Sequence, residues 1–398
     1  MLSCRKIIKN RPLGQVIKIM RQLLYPLALT VSFLFNQYVV AQAPVPQPPQ
    51  INASSYILID FDTGTIMAER DIDVRVEPAS LTKLMTAYVI FKALEEDQIQ
   101  LDELVRVSEK AWRTGGSKMF IEVGDDVSVE NLIRGMIIQS GNDASIALAE
   151  HFAGSEEAFV SLMMFYADLL GMSGSSFMNV TGLPAENHYM TARDVATLAA
   201  SIIREFSPYY SIYSERSFTY NGIQQGNRNI LLRRDSSVDG LKTGYTEAAG
   251  FCLVTSATRQ NMRLISAVFG MSSTDAREEG SQLLLNYGFR FFETRRLIES
   301  GEQLVEARIW GGDPQYINAG LPEDLYLTLP RGSFNDLEVL FNVSDDLTAP
   351  LAMGEEVGLL EILLNDDKVY ENNLIATNSA ESAGYWQQIK DTVRRWFQ

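Results

Sequence analysis

Ser80 and Lys83 stand one helical turn apart in Glu77-Pro78-Ala79-Ser80-Leu81-Thr82-Lys83-Leu84. A proline followed by small residues closes an extended segment and opens a helix, which puts Ser80 at the helix N-terminus. Free N–H groups and the helix dipole there favour developing negative charge. Lys83 shares the face of Ser80, so its amine can approach the hydroxyl. The flanking residues Leu81, Leu84, Met85, Tyr88, Val89, Phe91 and Leu94 are apolar nearly all round, the pattern of a buried central helix. A lysine desolvated in that setting loses basicity and can take a proton. The chemistry such a pair could do is nucleophilic attack by the serine with an amine as base, and the plain alternative is a serine N-cap beside a surface lysine.

The rest of the chain narrows the choice of base. Only two histidines are present, His151 and His188, and no serine sits in G-x-S-x-G. A Ser-His-Asp hydrolase therefore lacks its signature, and both histidines read as structural. Two further clusters carry matching chemistry: Ser140-Gly141-Asn142, and Lys242-Thr243-Gly244. In the second, Lys242 sets a positive field, Thr243 offers a hydroxyl, and the missing side chain of Gly244 lets a ligand lie along the strand edge. Taken singly, Ser140 and Asn142 read equally well as turn and cap residues, Ser333-Phe334-Asn335 repeats their spacing, and Asp143 reads as the cap of the following helix.

The elements that must position these residues follow from the patterning. Ser80 comes after a hairpin, Tyr56–Asp60 and Ile66–Glu69, turned at Phe61-Asp62-Thr63-Gly64. From about Ile99 to Phe206 the reading is mainly helical. Ser140–Asn142 forms a tight loop between the helix through Val129–Ile138 and one starting at Asp143. Thr191 and Asp194 box the start of a helix to Glu205. Val238–Tyr245, Gly250–Ala257 and Met262–Gly270 read as strands, the last two joined by a short turn, and a helix runs from Thr274 to Phe292. The fold class is mixed α/β (α+β): an antiparallel sheet flanked by helices, with a helical subdomain inserted between its two halves. Short strand-like runs from Arg295 to Thr377 form a small all-β domain.

Composition sets the compartment. Residues 1–41 hold six basic residues and no acid, followed by an apolar run from Leu23 to Phe35 and small residues, the order of a secretory signal. The formal net charge is −16, and losing that segment makes the remainder more acidic, which argues against nucleic-acid binding. Cys4 leaves with the signal, so Cys252 is unpaired, read as a packing residue in a strand. The expected divisions are a signal peptide at 1–41, a proline-rich linker at 42–52, a catalytic domain at 53–294, a β-rich domain at 295–378 and a terminal helix at 379–398. That helix gathers Trp386, Ile389, Val393, Trp396 and Phe397 on one face, with Lys390, Arg394 and Arg395 among its polar positions. It suits docking on an anionic membrane, and the same face would serve a homodimer.

With Ser80-x-x-Lys83, Ser140-x-Asn142 and Lys242-Thr243-Gly244 in chain order, the sequence resembles the low-molecular-mass penicillin-binding proteins, the serine-type D-alanyl-D-alanine carboxypeptidases. Supporting stretches are Gly115-Gly116-Ser117-Lys118-Met119-Phe120, Thr181-Gly182-Leu183-Pro184 and Asn227-Arg228-Asn229. The resemblance implies a penicillin-binding, transpeptidase-like fold and removal of the terminal D-alanine from peptidoglycan stem peptides, with no metal or organic cofactor. It implies Ser80 as nucleophile, Lys83 as base and Ser140 as proton relay, with Asn142 and Lys242 assisting. Thr243 and Arg277 would hold the substrate carboxylate, and Ser117, Arg228, Gly244 and Tyr245 would complete the binding surface. β-Lactams would trap Ser80. One departure stands out: many members follow Lys-Thr-Gly with His-Thr, whereas here Tyr245-Thr246 follows. A β-lactamase on the same fold needs a glutamate in E-x-x-N spacing, and Glu186-Asn187 does not supply it. An endopeptidase or transpeptidase on this fold, or a non-catalytic wall-binding protein, remains the alternative.

Overall fold

The computed structural model describes residues 45–395, so the signal segment, Trp396 and Phe397 lie outside the described residues. The described chain divides into two units, Pro46–Arg295 and the residues from Arg296 onward. In the first, five strands form an antiparallel sheet in the order Ile66–Arg70, Ser55–Asp60, Met262–Met271, Gly250–Arg259 and Val238–Thr246. The two ends of this unit's sequence thus meet in one sheet, and the helical stretch enters between them. Val238–Thr246 lies at the sheet edge, with one row of backbone groups unpaired by any other strand.

The central helix is Lys83–Glu95, preceded by a 3₁₀ turn at Ala79–Thr82. Ser80 therefore sits inside a tight turn one step before the α-helix, rather than at the α-helix N-terminus. Leu84, Met85, Ala87, Tyr88, Val89, Ile90 and Phe91 are all buried, as the all-round apolar pattern requires. Around them pack the helices Asn142–Ala153, Glu156–Leu169 and Ala192–Glu205. Thr191 caps the last of these by accepting the N–H of Asp194 at 3.1 Å. The helix Thr274–Phe291 lies against Met262–Met271 and Gly250–Arg259. Residues 46–52 of the expected linker lie on this unit: Tyr287 donates to the Pro46 carbonyl at 2.9 Å, and Arg70 to that of Ile51 at 2.9 Å.

One hairpin, Leu104–Arg106 with Asp126–Ser128, interrupts the stretch read as helical, and a second, Ser217–Tyr220 with Ile223–Gly226, follows it. The second is turned by Asn221 and Gly222, both at positive φ, an Asn-Gly signal that was legible in the sequence. The second unit holds a five-stranded antiparallel sheet that includes Tyr316–Gly320 and Asp367–Ala376, strands hidden in the sequence by Asn, Asp and Gly. Its terminal helix is Tyr385–Arg395; Glu381–Ser382, expected within the helix, instead pairs with Gly312–Asp313. Among the described residues no helix is long and apolar enough to cross a membrane.

The turn carrying Ser80 is held from behind. Ala79 lies at φ +48° and its carbonyl presses on Gly182, which has φ +82°. A Cβ at Gly182 would stand 1.8 Å from that oxygen. Neither backbone has room to yield, so Gly182→Ala should lower unfolding stability by at least about 2 kcal/mol and slow acylation of Ser80. Denaturant melts and penicillin-labelling rates of the variant check both.

Candidate active site

Lys83 is almost wholly buried, at 1 % exposure. Its Nζ lies 2.6 Å from the Thr181 carbonyl, 2.7 Å from Asn142 Oδ1 and 3.1 Å from Ser80 Oγ. Burial is the main cause that lowers its pKa to about 7; Arg228 adds to the fall and Asp143 opposes it. A neutral amine has two N–H donors and one lone pair. The two carbonyl oxygens take the donors, which turns the lone pair toward the Ser80 hydroxyl. The Thr181 carbonyl was missed by the sequence reading, because a backbone acceptor leaves no mark in residue type.

Asn142 is fully engaged within the protein. Its Oδ1 accepts from Lys83, its Nδ2 donates to the Gly115 carbonyl at 2.7 Å, and its backbone N–H donates to the Ser117 carbonyl at 2.7 Å. The side-chain amide thus fastens the Gly115–Ser117 wall to the lysine. Asp143 does more than cap its helix: besides Ala144, its buried carboxylate accepts the N–H groups of Met119 at 3.0 Å and Phe120 at 2.9 Å. It pins the same wall one turn further on.

Ser140 takes a left-handed backbone, φ +65°, at the end of the turn Gly135–Gln139. That conformation aims its Oγ at Lys242, whose Nζ donates to it at 2.9 Å and to the Thr243 carbonyl at 3.1 Å. Lys242 is buried too, and its pKa falls well below the ordinary lysine value through burial first, then repulsion from Lys83, Arg228 and Arg277. Gly244 lines the cleft, and its missing side chain has a second use within the fold. A Cβ there would meet the Pro78 carbonyl at 3.0 Å and Ser80 N at 3.3 Å, so the glycine lets the edge strand close on the serine turn.

These residues open on one cleft of about 450 Å³ lined by Ser80, Ser117, Ser140, Arg228, Thr243, Gly244, Tyr245 and Arg277, with Phe251 and Arg233 among the others. Tyr245 is half exposed and packs on Phe251, ring centroids 4.3 Å apart. Arg277 is buried and its Nε has no hydrogen-bond partner among the described residues. Its one hydrogen bond runs to the Arg228 carbonyl at 3.5 Å, and its guanidinium lies 5.8 Å from the Phe251 ring centre. Arg228 on the rim donates to the Gln139 carbonyl at 2.9 Å.

The remaining candidates are structural. His188 accepts from Met178 N–H at Nδ1 (3.1 Å), so Nε2 donates to Thr82 Oγ1 (2.8 Å), and burial lowers its pKa to about 4. His151 pairs with Glu103. Cys252 is buried, with its thiol pushed up to about 11, as a packing residue should be. Glu186 is exposed and does not line the cleft.

A buried lysine beside a cleft serine, backed by a second serine whose lysine partner stands on an edge strand, is the site of an acyl-transferring serine enzyme that uses no histidine. Known proteins carry the same plan. Residues 42–273 match the family described as D-alanyl-D-alanine carboxypeptidase, and residues 292–382 match the penicillin-binding protein 5 C-terminal domain. The D-alanyl-D-alanine carboxypeptidase DacA of Escherichia coli (strain K12) is 41% identical, over 96% of this chain and 97% of that one. DacC of the same strain is 41% identical over 92% of this chain and 94% of its own. The solved penicillin-binding protein 5 from Haemophilus influenzae superposes with a TM-score of 0.81 at 40% identity, covering 84% of this chain and 99% of that one. The chain belongs to the D-alanyl-D-alanine carboxypeptidase family.

The lysine arrangement sets a pH dependence. Below a pH of about 7 Lys83 holds a proton and has no lone pair for Ser80, so acylation should fall about tenfold per pH unit there and level off above it. Stopped-flow acylation by a chromogenic cephalosporin measures this; a profile flat through pH 7 contradicts Lys83 as the base.

Proposed function

We propose that the chain removes the C-terminal D-alanine from peptidoglycan stem peptides ending in D-Ala-D-Ala, through an acyl-enzyme on Ser80. The observation that carries the reading is the Lys83 amine, 3.1 Å from Ser80 Oγ with both of its N–H groups taken by carbonyls. The Ser80 proton passes to Lys83 as Oγ attacks the carbonyl between the two D-alanines. Backbone N–H groups of Ser80 and Tyr245 face the developing oxyanion. The substrate lies along the free edge of Val238–Thr246 as an added strand. Its carboxylate is held by the Thr243 hydroxyl and the Arg277 guanidinium, whose buried Nε awaits an acceptor. Ser140 hands its proton to the departing amine and takes one from Lys242; in deacylation the attacking water gives a proton back along that path, and Lys83 returns its own to Ser80. Water then releases the shortened peptide by the reverse path, with no step calling on a metal. A β-lactam follows the first half of this course and stays on Ser80.

The assay is release of free D-alanine from a peptide ending in D-Ala-D-Ala. Ser80→Ala should abolish release and labelling by fluorescent penicillin; release at the parent rate would remove Ser80 as nucleophile.

The setting is the outer face of a bacterial cytoplasmic membrane. The terminal helix is fastened by its polar side, where Asp391 accepts from Gly311 N–H at 3.1 Å and Arg308 at 3.2 Å, and Arg395 pairs with Asp346. Tyr385, Trp386, Ile389 and Val393 are left exposed, which supports an interfacial anchor. Replacing Trp386 and Ile389 by serine should release the protein from anionic vesicles while D-alanine release in solution persists. If vesicle binding persists and sedimentation instead shows a dimer falling apart, the face serves self-association.

A further inference from the structure

The cleft lining contains three arginines, Arg228, Arg233 and Arg277, and no acid, in a chain of net charge −16. One terminal carboxylate takes the fork of one guanidinium. Arg277 fills that role, and Arg228 is turned onto the Gln139 carbonyl. Arg233 is left over. It lies on the short helix Leu231–Arg234, whose next residue, Arg234, reaches Glu278 at 3.1 Å and Asp275 at 3.6 Å. Those ion pairs tie the short helix to the first turn of Thr274–Phe291, the turn that carries Arg277. Arg233 is exposed and lines the same cleft as Arg277 and Thr274, on a helix tied to the turn that carries Arg277.

The two neighbours differ in charge balance. Arg234 has two carboxylates; Arg233 has no acidic partner among the described residues, and its Nη2 donates only to the Arg216 carbonyl, at 2.9 Å. Gly226 lies beside its guanidinium, where a Cβ would come 3.0 Å from Nη2. A cation with no acidic partner, lining an acid-free cleft that also holds Arg277, suits an anion brought by the ligand.

We propose that Arg233 forms a subsite for a second carboxylate, one carried by the leaving residue, so that the enzyme accepts acidic leaving groups besides D-alanine. The proposal rests on the carboxypeptidase reading above. The departing residue keeps its α-carboxylate on Thr243 and Arg277, while its side-chain carboxylate meets Arg233. The chemistry at Ser80 is unchanged.

The test compares one peptide ending in D-Ala-D-Ala with the same peptide ending in D-Ala-D-Glu, following release of each D-amino acid. The parent should release both. In Arg233→Gln the ratio of kcat/KM for the acidic over the neutral peptide should fall about fivefold, the scale of a partly solvated ion pair. Arg233→Lys should restore most of it, and added salt should shrink the parent's ratio. An unchanged ratio in Arg233→Gln overturns the subsite. A parent that releases D-alanine but not D-glutamate overturns it too and leaves the carboxypeptidase reading intact. A parent that releases neither overturns both.

Discussion

A lysine amine held without water beside a serine is the constraint that shapes the rest of the molecule. Burying an amine favours its neutral form, and a neutral amine has a direction: two donors and one lone pair. Everything around Lys83 serves that direction. The central helix is buried along most of its length, which leaves the amine almost wholly shielded from solvent. The Thr181 and Asn142 oxygens consume the donors, and the tight turn at Ala79–Thr82 brings Ser80 to the remaining corner. The linkage has a cost of known sign. Between the ordinary lysine pKa and about 7 the unfolded chain binds a proton that the folded chain refuses, so stability declines as pH falls through that window. The large core around Lys83–Glu95 absorbs this.

The same logic accounts for the strain near the site. Ala79 and Ser140 both adopt left-handed backbones that cost a residue with a side chain about 1 kcal/mol or more. One aims Ser80 and the other is Ser140 itself. Each is over-determined by neighbours: Gly182 and Gly244 close on the first, and Lys242 holds the second.

Much of this was legible in the residues. Ser80, Lys83, Ser140 and Lys242 were marked by type and spacing, because each contributes a side-chain atom to the hydrogen-bonded pairs at the cleft. The five-stranded sheet and its helices declared themselves by periodicity. What stayed hidden shares a physical cause. Thr181 acts through a carbonyl, which every residue has. Gly244 acts through the absence of a side chain, whose use depends on what approaches. Asp143 read as a cap because its loop partners, Met119 and Phe120, are distant in sequence. Arg233 is one of two adjacent arginines, and only the ion pairs of Arg234 tell them apart.

The Asn142–Asp143 pair has one more consequence. Adjacent side chains fasten one wall of the cleft at Gly115 and at Met119–Phe120, and one of them also holds Lys83. Loosening that wall to admit a bulkier ligand would pull an acceptor from the amine and leave its lone pair without a fixed aim. Breadth of substrate and strength of base are therefore geared to one another on this side of the cleft. Tolerance can be gained cheaply only on the opposite side, where Tyr245, Phe251 and the arginines stand clear of the lysine's oxygens.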